Sequence, residues 1–354
     1  NTLIKWKIQV YLKKIIFKFF TNINSKESHS LNYFSVLKIK DILSEKKPDI
    51  LHLHWIGNEM ISIKDISKID IPLVWTFHDM WPFCGGEHFT ENNRFRSSYN
   101  KLSRSKYESG IDINKLLWEK KFKLLSNKKI NIVCPSNWIK KKLDRDKIFK
   151  RNIKIISPYI IDKNKWEVKI KKGKNDREKK IKIVFIATSS VNYRKGFPYL
   201  YKAIEKYLDK DKYELVCVGD KPKFFDSITI EKKYLGYISN YKQIKKIYSS
   251  SDILVMPSLM ESFGQIYIEA GICGLPCVAF KNTAAEDIVK HKFNGYLAKF
   301  KSSKDLANGI EWCRSQFLSS LEKKKIKKMT IKNFSNTKIN SLVKLYKKIE
   351  NKNF

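Results

Sequence analysis

The chain has 354 residues, 72 Lys or Arg against 35 Asp or Glu, and a net charge of +37. Its 42% apolar and 13% aromatic content supplies a packed core, which excludes a disordered polypeptide. No run approaches the roughly 18 apolar residues of a membrane span, and six Cys without a Cys-x-x-Cys pair read as reduced thiols of a cytoplasmic protein, not a disulfide frame.

Residues 1–20 hold five Lys and no acid among Trp, Phe, Ile and Leu. They predict a basic amphipathic helix, suited either to an anionic membrane surface, which would make the protein peripheral at the inner face, or to ordinary packing. Lys interrupts each apolar run, unlike a secretory signal. The chain opens on Asn1, consistent with a lost N-terminus.

Short β-type runs then alternate with helical patterns. Runs 50–54, 73–77, 131–134 and 153–157 predict strands; 32–46, 61–69, 112–126 and 136–147 predict helices. Loop 80–110 is longer than ordinary strand-to-helix connections, as functional loops are. The Lys-rich stretch 158–180 reads as a linker. A second series begins with runs 181–187, 213–219, 252–257 and 276–280, and a Lys-rich helix is expected over 335–352. The alternation predicts an α/β protein with two doubly wound, Rossmann-like domains on parallel sheets. Their expected bounds are 1–165 and 166–334, with a terminal helix over 335–354 packing back on the first domain. Ligands of such folds bind at the carboxyl ends of strands, here expected in a cleft between the halves.

The richest stretch is 252–280, DILVMPSLMESFGQIYIEAGICGLPCVAF. A strand, a short loop and a helix starting near Gly264 present Glu261 before the helix and Glu269 within it. The N–H groups around Phe263 and Gly264 form an anion site suited to pyrophosphate. Glu269 is placed to accept from ribose hydroxyls, and Glu261 from a sugar beyond the phosphates. Two isolated Glu would otherwise read as solvated surface residues.

The segment 261–269 (ESFGQIYIE) resembles the E-x7-E signature of retaining glycosyltransferases of family four, which have the GT-B fold. Segments 49–56 (DILHLHWI), 75–86 (WTFHDMWPFCGG), 193–197 (YRKGF) and 286–295 (EDIVKHKFNG) resemble the same family in the same order. The likeness is strongest to members that build bacterial polysaccharide and lipopolysaccharide. It implies transfer of a hexose from a nucleotide diphosphate-sugar to a glycan or lipid-linked acceptor, with retained configuration and no required cofactor.

By the same resemblance, Arg194 and Lys195 bind the donor diphosphate, Glu269 the ribose and Glu261 the transferred sugar. Ser262, Phe263 and Gly264 offer backbone N–H groups, and Gly236 and Tyr237 hold the base. His78, at a strand end, lies beside the sugar's 6-hydroxyl and the acceptor. Asp79 orients His78 or touches the acceptor, while Trp81, Gly85 and Gly86 shape the acceptor loop.

Two departures stand out. The family's first strand and glycine-rich loop have no counterpart, and Thr188, Ser189 and Ser190 stand where an Arg often precedes the R-K-G motif. His52 and His54 share a strand face, but with His78, Cys84 and His88 they match no zinc spacing, so no metal is expected. The rival readings are a non-catalytic basic protein on nucleic acid or anionic membrane, and an inactive relic of the fold. No nucleic-acid motif or stacking platform appears, so no nucleic-acid partner is expected.

Overall fold

A computed structural model describes residues 28–170, 180–188, 193–317, 319–334 and 340–351, with single positions and short pieces between 4 and 22. Most of the expected helix over 1–20, linker residues 171–179, and Ser189 and Ser190 lie outside the described residues. The chain divides into two compact units: Asn1–Ser157 with Asn340–Phe354, and Pro158–Ile339.

The first unit holds a four-stranded parallel sheet in the order β1 (Leu51–Leu53), β2 (Leu73–Thr76), β3 (Asn131–Cys134) and β4 (Lys154–Ile156). Every residue of β2 and β3 is buried, as expected of central strands covered on both faces. Helices α1 (Ile39–Lys46), α2 (Ile63–Ser67), α3 (Ile113–Leu125) and α4 (Asn137–Leu143) connect or cover them. Ser62, Asp112 and Ser136 cap the last three by accepting from Asp65, Lys115 and Ile139 N–H groups.

The helix expected from residue 32 begins only at Ile39. Asn32 is buried with φ +46°, and its amide Nδ2 donates to the carbonyls of Ile56 and Ile61, both at 2.7 Å. These tertiary bonds fix residues 32–38 as a loop against their helical pattern.

The second unit holds six parallel strands: β5 (Ile181–Ala187), β6 (Tyr213–Gly219), β7 (Glu231–Tyr234), β8 (Ile253–Met256), β9 (Cys277–Phe280) and β10 (Gly295–Ala298). Their spatial order is β10-β9-β8-β5-β6-β7. Strands β7 and β10 were not among the expected runs. Both are four-residue edge strands, and Glu-Lys-Lys-Tyr carries no hydrophobic run. Pairing with β6 and β9, rather than local pattern, makes them strands.

Helices α5 (Phe197–Tyr207), α6 (Tyr241–Ser250), α7 (Gln265–Ile272), α8 (Ser303–Gln316) and α9 (Ser320–Phe334) surround this sheet. The last helix, α10 (Asn340–Glu350), belongs to the first unit, where Leu345 and Ile349 pack on Val74 and Val133.

Candidate functional site

In the second unit the strand order reverses direction between β5 and β8, which pair directly through Ile253–Ile183 and Leu254–Val184. A reversal of this kind opens a crevice beyond the carboxyl ends of the two strands. The connection after β5 carries Arg194 and Lys195, and the connection after β8 carries Glu261. Two stretches 66 residues apart therefore meet. Lys195 Nζ lies 2.7 Å from Glu261 Oε2, and Arg194 Nη1 lies 3.8 Å from the same oxygen. Arg194 also donates to the Met260 carbonyl at 3.3 Å, and its own carbonyl accepts from Leu259 N–H at 2.7 Å. Burial alone would raise the Glu261 carboxyl, but the two cations and the Lys195 hydrogen bond outweigh it and hold the group below its ordinary range.

Backbone geometry makes this approach feasible. Gly196 has φ +73°, and a Cβ there would sit 1.8 Å from the Pro257 carbonyl oxygen. Only glycine lets the post-β5 loop lie against the end of β8. Gly264, at φ +86°, is the N-cap residue of α7, and a Cβ would meet the Tyr267 ring at 2.6 Å. Tyr267 is buried beneath this loop, donating to the Met256 carbonyl at 2.9 Å.

A pocket of about 440 Å³ opens here. Of the expected donor-site residues, it collects Lys195, Tyr237, Glu261, Gly264 and Glu269. Arg194 stands behind Glu261. Ser262 and Phe263 are buried, with the Phe263 ring 4.7 Å from Tyr159 and 6.4 Å from Phe334, so its side chain is core. Gly236 precedes the exposed Tyr237, adopts φ +66°, and its carbonyl accepts from Gly219 N–H at 2.8 Å.

Glu269 is held from two sides: Gln265 Nε2 donates at 3.1 Å and the Tyr248 hydroxyl at 3.3 Å. Burial pushes its carboxyl up to about 7, against the lowering effect of these bonds and of Lys165. Sequence reasoning missed Gln265, Tyr248 and Lys165, all of which line the pocket. The four-residue spacing from Gln265 to Glu269 on one helix was a usable signal. Tyr248 lies on α6, and no local pattern points to it.

In the first unit, His52 and His54 stack at 4.3 Å on the face shared by alternate strand residues. His54 Nδ1 lies 3.0 Å from His78 Nε2, while the two ring nitrogens of His52 pair with Tyr346 and Thr76 hydroxyls. Burial, reinforced by neighbouring imidazoles, depresses His52 and His78 to about 4, with Asp79 partly opposing this at His78. His78 is thus neutral near pH 7 and acts as a hydrogen-bonding group rather than a cation.

The Asp79 carboxylate is directed elsewhere. It accepts from Trp55 Nε1 at 2.9 Å, Trp81 N–H at 2.9 Å and the His88 ring at 2.6 Å. The other His88 nitrogen pairs with Ser30 Oγ at 2.7 Å. Trp81, Gly85 and Gly86 are buried, and a Cβ at Gly85 would meet the Asn114 backbone at 2.5 Å. Their turn is clamped from below by Lys121. This fully buried ammonium donates to the carbonyls of Trp81, Cys84 (3.0 Å) and Gly85 (2.6 Å). These residues therefore frame the loop from inside, while His54 and His78 are the members nearer its surface. Among the described residues, no group of three or more His, Cys, Asp or Glu is arranged to hold a metal ion.

Comparison with known proteins bears on the family and the fold. Residues 14–161 match the model of Glycosyltransferase Family 4, and residues 167–330 that of Glycosyl transferases group 1. An uncharacterized glycosyltransferase of Methanocaldococcus jannaschii is 27% identical, covering 76% of this chain and 67% of its own length. An uncharacterized 41.2 kDa protein in the cps region of Klebsiella pneumoniae is 25% identical over 88% of this chain and 82% of its own. The structure of Anabaena HepE in complex with UDP-glucose superposes with a TM-score of 0.59 at 17% identity, covering 87% of this chain and 80% of that one. The two family models between them take in nearly the whole chain, and each unit is built on a parallel sheet as in that fold: the chain belongs to the GT-B glycosyltransferases of family four.

Proposed function

We propose that this glycosyltransferase moves a hexose from a nucleotide diphosphate-sugar to a glycan or lipid-linked glycan in cell-surface polysaccharide synthesis, with retained configuration. The observation that carries the reading is the Lys195–Glu261 pair facing Glu269 across one pocket at the strand-order reversal. Glu269 accepts from the ribose hydroxyls. Lys195, Arg194 and the N–H groups at the start of α7 neutralise the departing diphosphate, which is the electrostatic preorganisation that dominates many such barriers. Glu261, poised by its two cations, accepts from hydroxyls of the transferred sugar.

In the transfer itself, the bond from the anomeric carbon to phosphate oxygen breaks. The acceptor oxygen attacks on the same face, and its proton passes to the leaving phosphate. Neutral His78 contributes a hydrogen bond on the acceptor side. Support for a polysaccharide role comes from the cps-region relative, and for a uridine nucleotide from the UDP-glucose complex of the Anabaena neighbour. The basic surface suits an acceptor carried on an anionic leaflet, the source of the proposed peripheral location. No helix among the described residues is long and apolar enough to cross a membrane.

The test is thermal stability against UDP-, GDP- and ADP-sugars. A donor at 100 times its Kd stabilises by about 2.7 kcal/mol. One nucleotide class should raise the midpoint in the parent but not in Glu269→Ala. Equal shifts in both proteins would remove Glu269 from the donor site.

A further inference from the structure

The end of the long connection between β2 and α3 sorts its side chains against the usual rule. Its acids turn inward: Glu108 and Asp112 are largely buried, and both pair with Arg94 and Arg104. Its apolar side chains turn outward. Leu102 is 96% exposed and Tyr107 67%, and Ile111 is exposed too. Lys101 and Lys106 stand in solvent among them, the Lys106 ammonium 5.2 Å from the Tyr107 ring centre. The segment is held in this arrangement. Asn100 Oδ1 caps the turn Lys101–Ser103 by accepting from Ser103 N–H at 2.9 Å. The Arg104 guanidinium donates to the carbonyls of Ser109 at 3.0 Å and Gly110 at 2.9 Å.

The same edge receives the start of the chain. Thr21–Asn22 pair antiparallel with Ser109–Gly110, and Ile111 N–H donates to the Phe20 carbonyl at 2.9 Å. Phe20 is 53% exposed, and Ile4, Trp6, Ile8 and Tyr11 before it are exposed as well. Residues 1–22 hold five Lys and no acid. Two stretches distant in sequence therefore bring apolar and cationic side chains to one edge of the first unit, and the acids between 101 and 112 are already paired.

Apolar side chains interleaved with Lys fit one partner chemistry. An anionic bilayer offers hydrocarbon to the Leu, Ile and aromatic groups, and headgroups to ammoniums at the ends of their stems. It offers both in one plane, with no need for a matching shape. We infer that residues 101–111 and the N-terminal segment paired with them form a docking surface for an anionic lipid bilayer, with Leu102 and Tyr107 entering the interface. The Tyr99 hydroxyl, on the same connection, accepts from Gly85 N–H at 2.7 Å, which joins the docked edge to the turn that follows His78. The surface thus holds the acceptor side of the enzyme against the leaflet that carries a lipid-linked acceptor. That role rests on the proposed function, whereas lipid binding does not.

The experiment is sedimentation of the full chain with vesicles of phosphatidylcholine alone, or of equal parts phosphatidylcholine and phosphatidylglycerol. The parent should bind the anionic vesicles and not the neutral ones. Leu102→Ser should weaken binding about tenfold, and Lys101→Gln and Lys106→Gln about fivefold each. A Leu and a Lys exposed on α9 serve as controls: Leu321→Ser and Lys324→Gln should change binding little. The six native Cys are buried, so Leu102→Cys can carry a polarity-sensitive fluorophore, whose emission should shift to the blue on anionic vesicles, while a label at Leu321→Cys should not respond. No binding by the parent, undiminished binding in Leu102→Ser, an equal loss in the α9 variants, or an unresponsive label at 102 would each overturn the inference. So would self-association in the absence of lipid that Leu102→Ser abolishes, with no vesicle binding, since the edge would then join two copies of the chain. Vesicle binding without nucleotide-sugar binding would leave the surface standing and sink the transferase reading; the reverse result would sink the surface alone.

Discussion

At the scale of single residues, environment sets two carboxylates of one pocket apart. Glu261, beside Lys195 and Arg194, stays ionised despite burial. Glu269 has only neutral donors in contact, and its carboxyl rises to about 7. For an acid raised by folding, the native state binds the proton more tightly. Its stabilising contribution is therefore full below the ordinary pKa of 4.5 and lost as pH rises from there to about 7. Donor binding runs the other way, because two ribose hydroxyls need an ionised acceptor. Nucleotide-sugar affinity should rise roughly tenfold between pH 6 and pH 8, following the ionised fraction of a group with this pKa. Glu269→Gln should flatten the profile. Titration with the intact nucleotide-sugar, whose esterified diphosphate does not itself titrate in this range, is the check.

At the scale of elements, two glycines with similar backbone angles should respond differently to the same change. Gly196→Ala drives a Cβ into the Pro257 carbonyl, whereas Gly236 has nothing within 4 Å of the position a Cβ would take. We expect about 3 kcal/mol or more for Gly196→Ala, from strain and displaced backbone together. Gly236→Ala should cost about 1 kcal/mol, from the left-handed conformation alone. Urea unfolding of the two variants measures the difference. The turn over Lys121 behaves similarly as an element held from beneath. Lys121→Met preserves the apolar stem but leaves three carbonyls without their donor, for an expected loss of about 2–4 kcal/mol. Faster amide exchange confined to the region around 80–86 would locate the effect, and unchanged exchange there would mean that the clamp is dispensable.

At the scale of the whole molecule, the chain returns at its end to the unit in which it began. Leu345 and Ile349 of α10 complete a small core with Val74 and Val133, and Tyr346 bonds to His52. Leu345→Ala should therefore cost about 2–5 kcal/mol. Although residue 345 follows the second unit in sequence, that loss should appear in the unfolding of the first. Proteolysis monitored by mass spectrometry should show early cleavage near β2 and β3, with fragments of 181–334 persisting. Preferential cleavage in the second unit would contradict the assignment.

Much of the fold was legible because it rests on local rules. The largely apolar runs over 181–187 and 213–219 match β5 and β6 residue for residue, since central strands covered on both faces are mostly hydrophobic; their charged members, Lys182 and Glu214, pair with each other at 3.0 Å. Gly264 and the helix behind it were also readable, because a glycine before a helix start has a local meaning. What only tertiary structure decided was partnership. Nothing local says that Tyr248 holds Glu269, that Asp79 accepts from His88, the Trp55 indole and the Trp81 backbone, or that Asn32 ties a helical pattern into a loop. Sequence by itself determined which groups carry charge and which segments can be strands, because those are properties of residue types and their spacing. The strand order, and with it the meeting of Lys195 with Glu261, depends on which segments pack side by side, and that is settled only when the chain closes its core.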